Sequence, residues 1–157
     1  MPARVLVVDD EAPIRELCRV NLELQGYDVL EAADGAEAVD AVRRHHPDLV
    51  FLDLMMPGVD GWEALRQLKS DPDTADVPVV LLTARSADDD QIRGWSAGIL
   101  EFVAKPFNPR ALIDCVVRAL EPRDPDEEAE RRRRILEGLA MVSELRKGNR
   151  EPTWRSP

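Results

Sequence analysis

The sequence predicts an α/β fold: a doubly wound, five-stranded, mainly parallel sheet with helices on both faces, followed by a C-terminal helical extension. Three observations predict it. Short continuous apolar runs recur at residues 4–8 (RVLVV), 49–52 (LVFL) and 79–82 (VVLL), and strands that read apolar throughout are those covered on both faces. The segments between them carry apolar residues at helical spacing. Strand and helix alternate over ten elements, which demands right-handed crossovers and parallel pairing.

Taken in order, residues 4–8 form the first buried strand. Residues 11–25 read as a helix, with Ile14, Leu17, Cys18 and Leu22 on one face and Gly26 as the stop. Residues 27–31 read as a strand. Residues 36–44 form a helix with Ala38, Val39 and Val42 inward, and residues 49–52 the next buried strand. A third helix covers 62–68, a strand 79–82, a fourth helix 89–97, a short strand 102–103, and a fifth helix 109–120. Residues 121–125 (EPRDP) are a proline-broken linker. Beyond them, 126–147 reads as a charged helix in which Glu127–Arg131, Glu128–Arg132 and Glu130–Arg134 stand in favourable i,i+4 register. Its apolar residues Ile135, Leu136, Leu139, Val142 and Leu145 line one stripe, under three heptads long, that suits docking on the rest of the chain, pairing with a second copy, or binding a partner helix. Residues 148–157, with Trp154, are polar and expected to lack regular structure. The division expected is therefore 1–121 for the α/β domain and 122–157 for linker, charged helix and disordered tail.

Composition narrows the function classes. The 157 residues are 44% apolar and 33% charged, with a formal net charge of -10. All of that excess lies in residues 1–120, while 121–157 is balanced, so the α/β part is a poor match for phosphate backbones. No apolar run approaches the roughly 18 residues of a membrane span. A strand-like run begins within four residues of the start, so no signal peptide is expected. Cys18 and Cys115 make no metal or redox spacing and fall at helical apolar positions, which predicts small buried thiols and a cytoplasmic setting.

In a parallel sheet of this kind chemistry gathers at the carboxyl ends of the strands. Those ends carry Asp9, Asp10, Asp53, Thr83 and Lys105. Two like charges about 4 Å apart cost on the order of 4 kcal/mol at a surface-like dielectric. One remedy for three crowded carboxylates is a hard divalent cation; Mg²⁺ prefers one or two carboxylates together with a phosphoryl oxygen. Asp53, ending the central strand, is placed to act as a nucleophile that forms an acyl phosphate. Lys105 and the metal would neutralise phosphoryl oxygens and Thr83 could hydrogen-bond one of them.

The segments VVDDE, LVFLDLMMPGVDGWE, LLTA and FVAKPF, in this order over residues 3–120, resemble the receiver domain of two-component response regulators, the CheY-like superfamily. The resemblance implies strand order 2-1-3-4-5 and phosphate transfer to Asp53 from a histidine kinase or phosphotransfer protein. It implies Asp10 as direct Mg²⁺ ligand, Asp9 acting largely through a coordinated water, and the backbone carbonyl of Met55 completing the metal ligands with Asp53. Thr83 becomes the switch hydroxyl, Lys105 the phosphate-pairing ammonium, and Phe102 the aromatic that swings inward on activation; Pro106 follows a cis peptide. Two departures stand out. Ile99 and Leu100 replace small or acidic residues, making their loop stickier or better buried. Met55 cannot hydrogen-bond an attacking water, so self-hydrolysis of the phosphate is expected to be slow.

Plainer readings stand beside these. Asp9 and Asp10 could cap the helix that follows, Thr83 could be a cap and Lys105 a surface charge. Gly58 and Gly61 shape the turn after Pro57, and His45 and His46 suit a cationic helix end. Trp95 fits core packing or an exposed partner anchor equally. Arg131–Arg134 suggests a DNA-contacting regulator, but the preceding acids neutralise it in helical register. A Mg²⁺-dependent phosphohydrolase using Asp53 would need a second acid where Met55 stands. The expectation is a stand-alone receiver, not an enzyme, whose 36 residues after 121 are too few for a winged helix and which signals through protein–protein contacts, with homodimer formation open.

Overall fold

In the computed structural model, which describes residues 2–84 and 88–148, each apolar run is a strand whose alternate side chains enter two different layers. The strands are β1 (Arg4–Val8), β2 (Asp28–Ala32), β3 (Leu49–Asp53), β4 (Val79–Thr83) and β5 (Glu101–Ala104). All pair in parallel, in the order β2-β1-β3-β4-β5 that the resemblance implies. The helices are α1 (Ala12–Leu24), α2 (Gly35–His45), α3 (Gly61–Ser70), α4 (Asp88–Ser96), α5 (Pro109–Leu120) and α6 (Pro125–Gly148). Expected boundaries hold to within two residues.

Period-2 geometry explains the unbroken apolar strands. Val5, Val7, Leu49, Phe51, Val80 and Leu82 face α1 and α5, where Cys18, Leu22, Leu112 and Val116 complete one layer. Leu6, Val8, Val50, Leu52, Val79 and Leu81 face the other way, onto Val39, Val42, Leu65, Leu68, Trp95 and Ile99. Burying each such aliphatic side chain contributes about 1.5–3 kcal/mol, so both layers rather than one hold the central strands. Both cysteines are buried free thiols. Burial, with a smaller push from Asp9, raises the Cys18 thiol to about 12; burial does the same to Cys115. Neither is ionised near neutral pH.

Helix starts follow local chemistry. Asp34, Asp60 and Asn108 cap α2, α3 and α5, their side chains accepting from the N–H groups of Glu37, Glu63 and Arg110. The cap of α1 is Glu11, whose side chain makes no capping bond, so neither Asp9 nor Asp10 is the N-cap residue. His46 ends α2 in the left-handed region, φ 47°, with its N–H on the Val42 carbonyl. Ile99 and Leu100 are buried, as their departure from the family pattern suggested.

Two tail expectations need correction. Of the three i,i+4 pairs only Glu130–Arg134 forms, at 3.1 Å. Arg131 turns to Glu101 at 3.4 Å and Glu128 lies 3.9 Å from Arg118, because partners on the α/β body outcompete neighbours on the helix. The apolar stripe is also shorter than expected. Ile135, Leu136 and Leu139 pack against the layer containing Trp95, while Val142 and Leu145 are exposed. Of the open fates for this helix, the structure has it docked on α4, and Trp95 is core, 4% exposed. Apart from Gly148, the expected unstructured end lies outside the described residues, and so does Trp154.

Candidate functional site

The parallel register lines up the strand ends: Val8 pairs with Leu52, Asp53 with Leu82, and Thr83 with Ala104. The next residues along β1 and β5 are Asp9 and Lys105. All five expected strand-end residues therefore share one rim. Carboxylate oxygens of Asp9, Asp10 and Asp53 all lie within 4.8 Å of one another. Asp9 and Asp53 are buried, whereas Asp10 is exposed.

Each acid has a different set of partners. Asp9 uses Oδ2 to accept from the Lys105 Nζ at 2.6 Å and Oδ1 to accept from the Glu11 N–H at 2.9 Å. Arg15 donates to the Asp9 carbonyl at 2.7 Å, fixing the backbone there. Asp53 accepts from the Met55 N–H at 3.1 Å and lies 3.4 Å from the Lys105 ammonium. Asp10 makes no hydrogen bond or ion pair with any described residue, and its oxygens face solvent. Three hard oxygen donors at this spacing, one of them unengaged, suit a small divalent cation.

The charges respond to burial. Desolvation raises the Asp53 carboxyl to about 6, reinforced by Asp9 and opposed by the Met55 N–H and Lys105. Burial would lower the Lys105 ammonium, but its bond to Asp9 and the attraction of Asp53 and Asp9 hold it above the ordinary lysine value. Lys105 is thus a fixed cation spanning two acids.

Backbone geometry holds the rim open. Leu54 donates to the Leu82 carbonyl at 3.1 Å, and Gly61 donates to the Leu54 carbonyl at 3.2 Å. A Cβ on Gly61 would collide with the backbone of Asp53 and Leu54, so only glycine lets α3 start this close. Gly58 turns the loop at φ 78°. Lys105 donates its N–H to the Thr83 carbonyl at 2.7 Å, and the Lys105–Pro106 peptide is cis, as the resemblance implied. Thr83 is buried at the end of β4. Phe102 is half-buried and packs against the layer of Trp95 and Ile99, so it belongs to the α4 side rather than to the acid cluster itself. The Met55 side chain is 73% exposed at the mouth. Arg15 and Gly61 were not singled out as site supports; a basic residue one turn into the helix after an acidic pair was the available signal for Arg15.

This rim, on a sheet of this order, defines a receiver domain. Residues 5–117 match the family model described as the response regulator receiver domain, and the chain belongs to that family. PhoB of Pseudomonas aeruginosa, a phosphate regulon transcriptional regulatory protein, is 42% identical over 125 residues, 78% of this chain and 55% of the relative. Its namesake in Escherichia coli is 40% identical over 144 residues, 90% of this chain and 61% of the relative. The chain thus spans little more than half the length of these relatives. Among solved structures, the chemotaxis protein CheY4 of Vibrio cholerae superposes with TM-score 0.72 at 31% identity, over 76% of this chain and all of that one. A Francisella response regulator receiver domain gives TM-score 0.69 at 31% identity, over 74% of this chain and 95% of that one. No helix among the described residues is long and apolar enough to cross a membrane.

Proposed function

We propose that this chain is a phosphorylation-operated switch in which Asp53 accepts a phosphoryl group from a histidine kinase or phosphotransfer protein. The observation that carries the reading is the meeting of Asp9, Asp10 and Asp53 within 4.8 Å, with the Lys105 ammonium 3.4 Å from Asp53. In the transfer an Asp53 carboxylate oxygen bonds to phosphorus, the phosphorus–nitrogen bond of the donor phosphohistidine breaks, and the electron pair returns to the imidazole. Asp10, Asp53 and the Met55 carbonyl would hold Mg²⁺, with Asp9 acting through a coordinated water, and the bound ion would neutralise phosphoryl charge. Asp10 is the ligand with no competing partner among the described residues. Asp9 is already shared with Lys105 and the Glu11 N–H, which suits an indirect part.

Lys105 pairs with the transferred group's oxygens and Thr83 hydrogen-bonds one of them. Phosphorylation puts about two negative charges and three acceptor oxygens where one carboxylate stood, drawing Thr83 toward Asp53 and vacating space that Phe102 fills by swinging inward. The receiver occupies residues 1–121, with 122–157 an extension, and output runs through protein–protein contact in the cytoplasm without turnover of an external substrate. The arginine run offers little to DNA: Arg131 is held by Glu101, and Arg133 and Arg134 by Glu130.

Incubation with acetyl phosphate and Mg²⁺, followed by intact mass, tests the reading. Wild type is expected to gain about 80 Da, one phosphoryl group, and Asp53→Ala to gain nothing. A wild type that stays unmodified, or an Asp53→Ala variant that takes up the same mass, overturns it.

A further inference from the structure

We propose that α6 is a removable cover over the surface formed by α4 and β5, docked while Asp53 is unmodified and released when Asp53 carries a phosphoryl group. The inference deepens the phosphoryl-accepting reading of Asp53 and rests on it. Three anchors hold the helix down. Near its C-terminal end, Arg146 places one guanidinium nitrogen 2.8 Å from both carboxylate oxygens of Asp88, the first residue of α4. Nearer its start, Arg131 lies over the Trp95 ring, 5.4 Å from the centroid, and reaches Glu101, the first residue of β5, at 3.4 Å. Between them, Ile135, Leu136 and Leu139 join the apolar layer of Trp95, Ile99 and Phe102.

All of these anchors sit on α4, on β5 or on the turn joining them. Those are the elements tied to the phosphoryl-contacting end of the rim. β4 ends at Thr83 and the chain enters α4 at Asp88; β5 runs from Glu101 to Ala104 and leads directly into Lys105. The Phe102 ring is the joint between site and cover. It lies so close to Gly94 that a Cβ there would come within 2.5 Å of ring atom Cε2 and 3.0 Å of Ile99. A ring packed this tightly cannot move without reshaping the seam on which α6 sits, because well-packed layers shift between discrete arrangements rather than deform smoothly. Movement of Thr83 and Phe102 toward a phosphorylated Asp53 therefore lowers the fit of α6. Release uncovers Trp95 and the Glu101 carboxylate on one side and Ile135, Leu136 and Leu139 on the other, offering both to partners only in the modified chain.

The test follows amide exchange by mass spectrometry on the full chain, with and without acetyl phosphate and Mg²⁺, with intact mass read on the same samples. Peptides from 125–148 are expected to exchange roughly tenfold faster in the phosphorylated chain, within the usual range of allosteric coupling. Mass gain at Asp53 with unchanged exchange in 125–148 overturns the cover and leaves the phosphoryl reading intact. Absence of mass gain overturns both, so the two failures are distinguishable. A second arm uses Arg146→Ala combined with Leu139→Ala, which loosens α6 without touching the acid cluster. Coupling is reciprocal, so this variant is expected to exchange faster in 125–148 before modification and to reach a higher phosphorylated fraction at limiting acetyl phosphate. Unaltered exchange in β1 and β3 shows that the sheet is folded. An unaltered phosphorylated fraction in a variant with a loosened α6 overturns the coupling.

Discussion

Asp53 is held in a conflict that its variants can expose. Burial raises its carboxyl to about 6 against an ordinary value of 3.8, with Asp9 adding to the push and the Met55 N–H and Lys105 opposing it. The folded chain therefore binds a proton that the unfolded chain has already released between those two values. Where the native state binds more protons, stability falls as pH rises. In magnesium-free buffer, chemical denaturation is expected to show stability dropping across roughly pH 4–6 and levelling above, by about 1–2 kcal/mol after allowance for residual hydration of the rim. Asp53→Asn removes the ionisation, and is expected to flatten that slope and stabilise the chain at pH 7 by a similar amount. A slope that persists unchanged in Asp53→Asn would assign it elsewhere. Met55 makes a different contribution, since its side chain is 73% exposed beside the acceptor and has no group to orient water. Met55→Asn is expected to shorten the phosphate lifetime several-fold, read as loss of the added mass over time. Asp53 was legible in the sequence because strand ends in a parallel sheet must converge, whereas Met55 came into view only through the resemblance to receiver domains. The division of labour among the acids was not legible, since it depends on which oxygen the distant Lys105 reaches.

At the scale of elements, two glycines show how closely the site and its surroundings are packed. Gly61 begins α3 against the Asp53 and Leu54 backbone, and Gly94 stands in α4 against the Phe102 ring. Both would gain up to about 1 kcal/mol of helix propensity as alanine, yet both would meet atoms already in place. A backbone cannot yield, whereas a half-buried ring can turn. Gly94→Ala is thus expected to cost about 1–3 kcal/mol as overpacking, and Gly61→Ala more, with thermal denaturation as the measure. Gly94→Ala is also expected to displace Phe102, seen as altered aromatic NMR shifts, while Gly61→Ala leaves that ring in place. Element types and order were readable from the sequence, because all-apolar strands and 3.6-residue spacing survive in a doubly wound fold. The environment of α4 was not. Its own stripe is broken by Asp88, Asp89, Asp90 and Arg93, and the α6 side chains that pack against the layer of Trp95 lie far along the chain. The same distance hid the partners of Arg131 and Glu128, for which local i,i+4 pairing looked sufficient.

On the scale of the whole molecule the charge asymmetry acquires a structural role. The net charge of -10 lies in residues 1–120, and the balanced tail applies its arginines to that acidic body. Arg146 meets Asp88, and Arg131 shares Glu101 with Arg118, which also approaches Glu128. These groups are partly or largely exposed, and such pairs contribute roughly 0–1 kcal/mol each. Together with the aliphatic contacts of Ile135, Leu136 and Leu139 they leave α6 held on one side only. The central strands, in contrast, are covered on both faces. Elements with few buried contacts open well below the global unfolding free energy. Exposed ion pairs are screened once the Debye length falls to about 3 Å in 1 M salt, while the apolar contacts are not weakened by chloride. Raising NaCl from 0.05 to about 1 M is therefore expected to speed exchange in 125–148 by up to roughly tenfold, the equivalent of about 1.4 kcal/mol. Protection in β1 and β3 should hardly change. If α6 and β3 amides lost protection together, the helix would be part of the same cooperative unit as the sheet, and its one-sided attachment would not be what sets its stability.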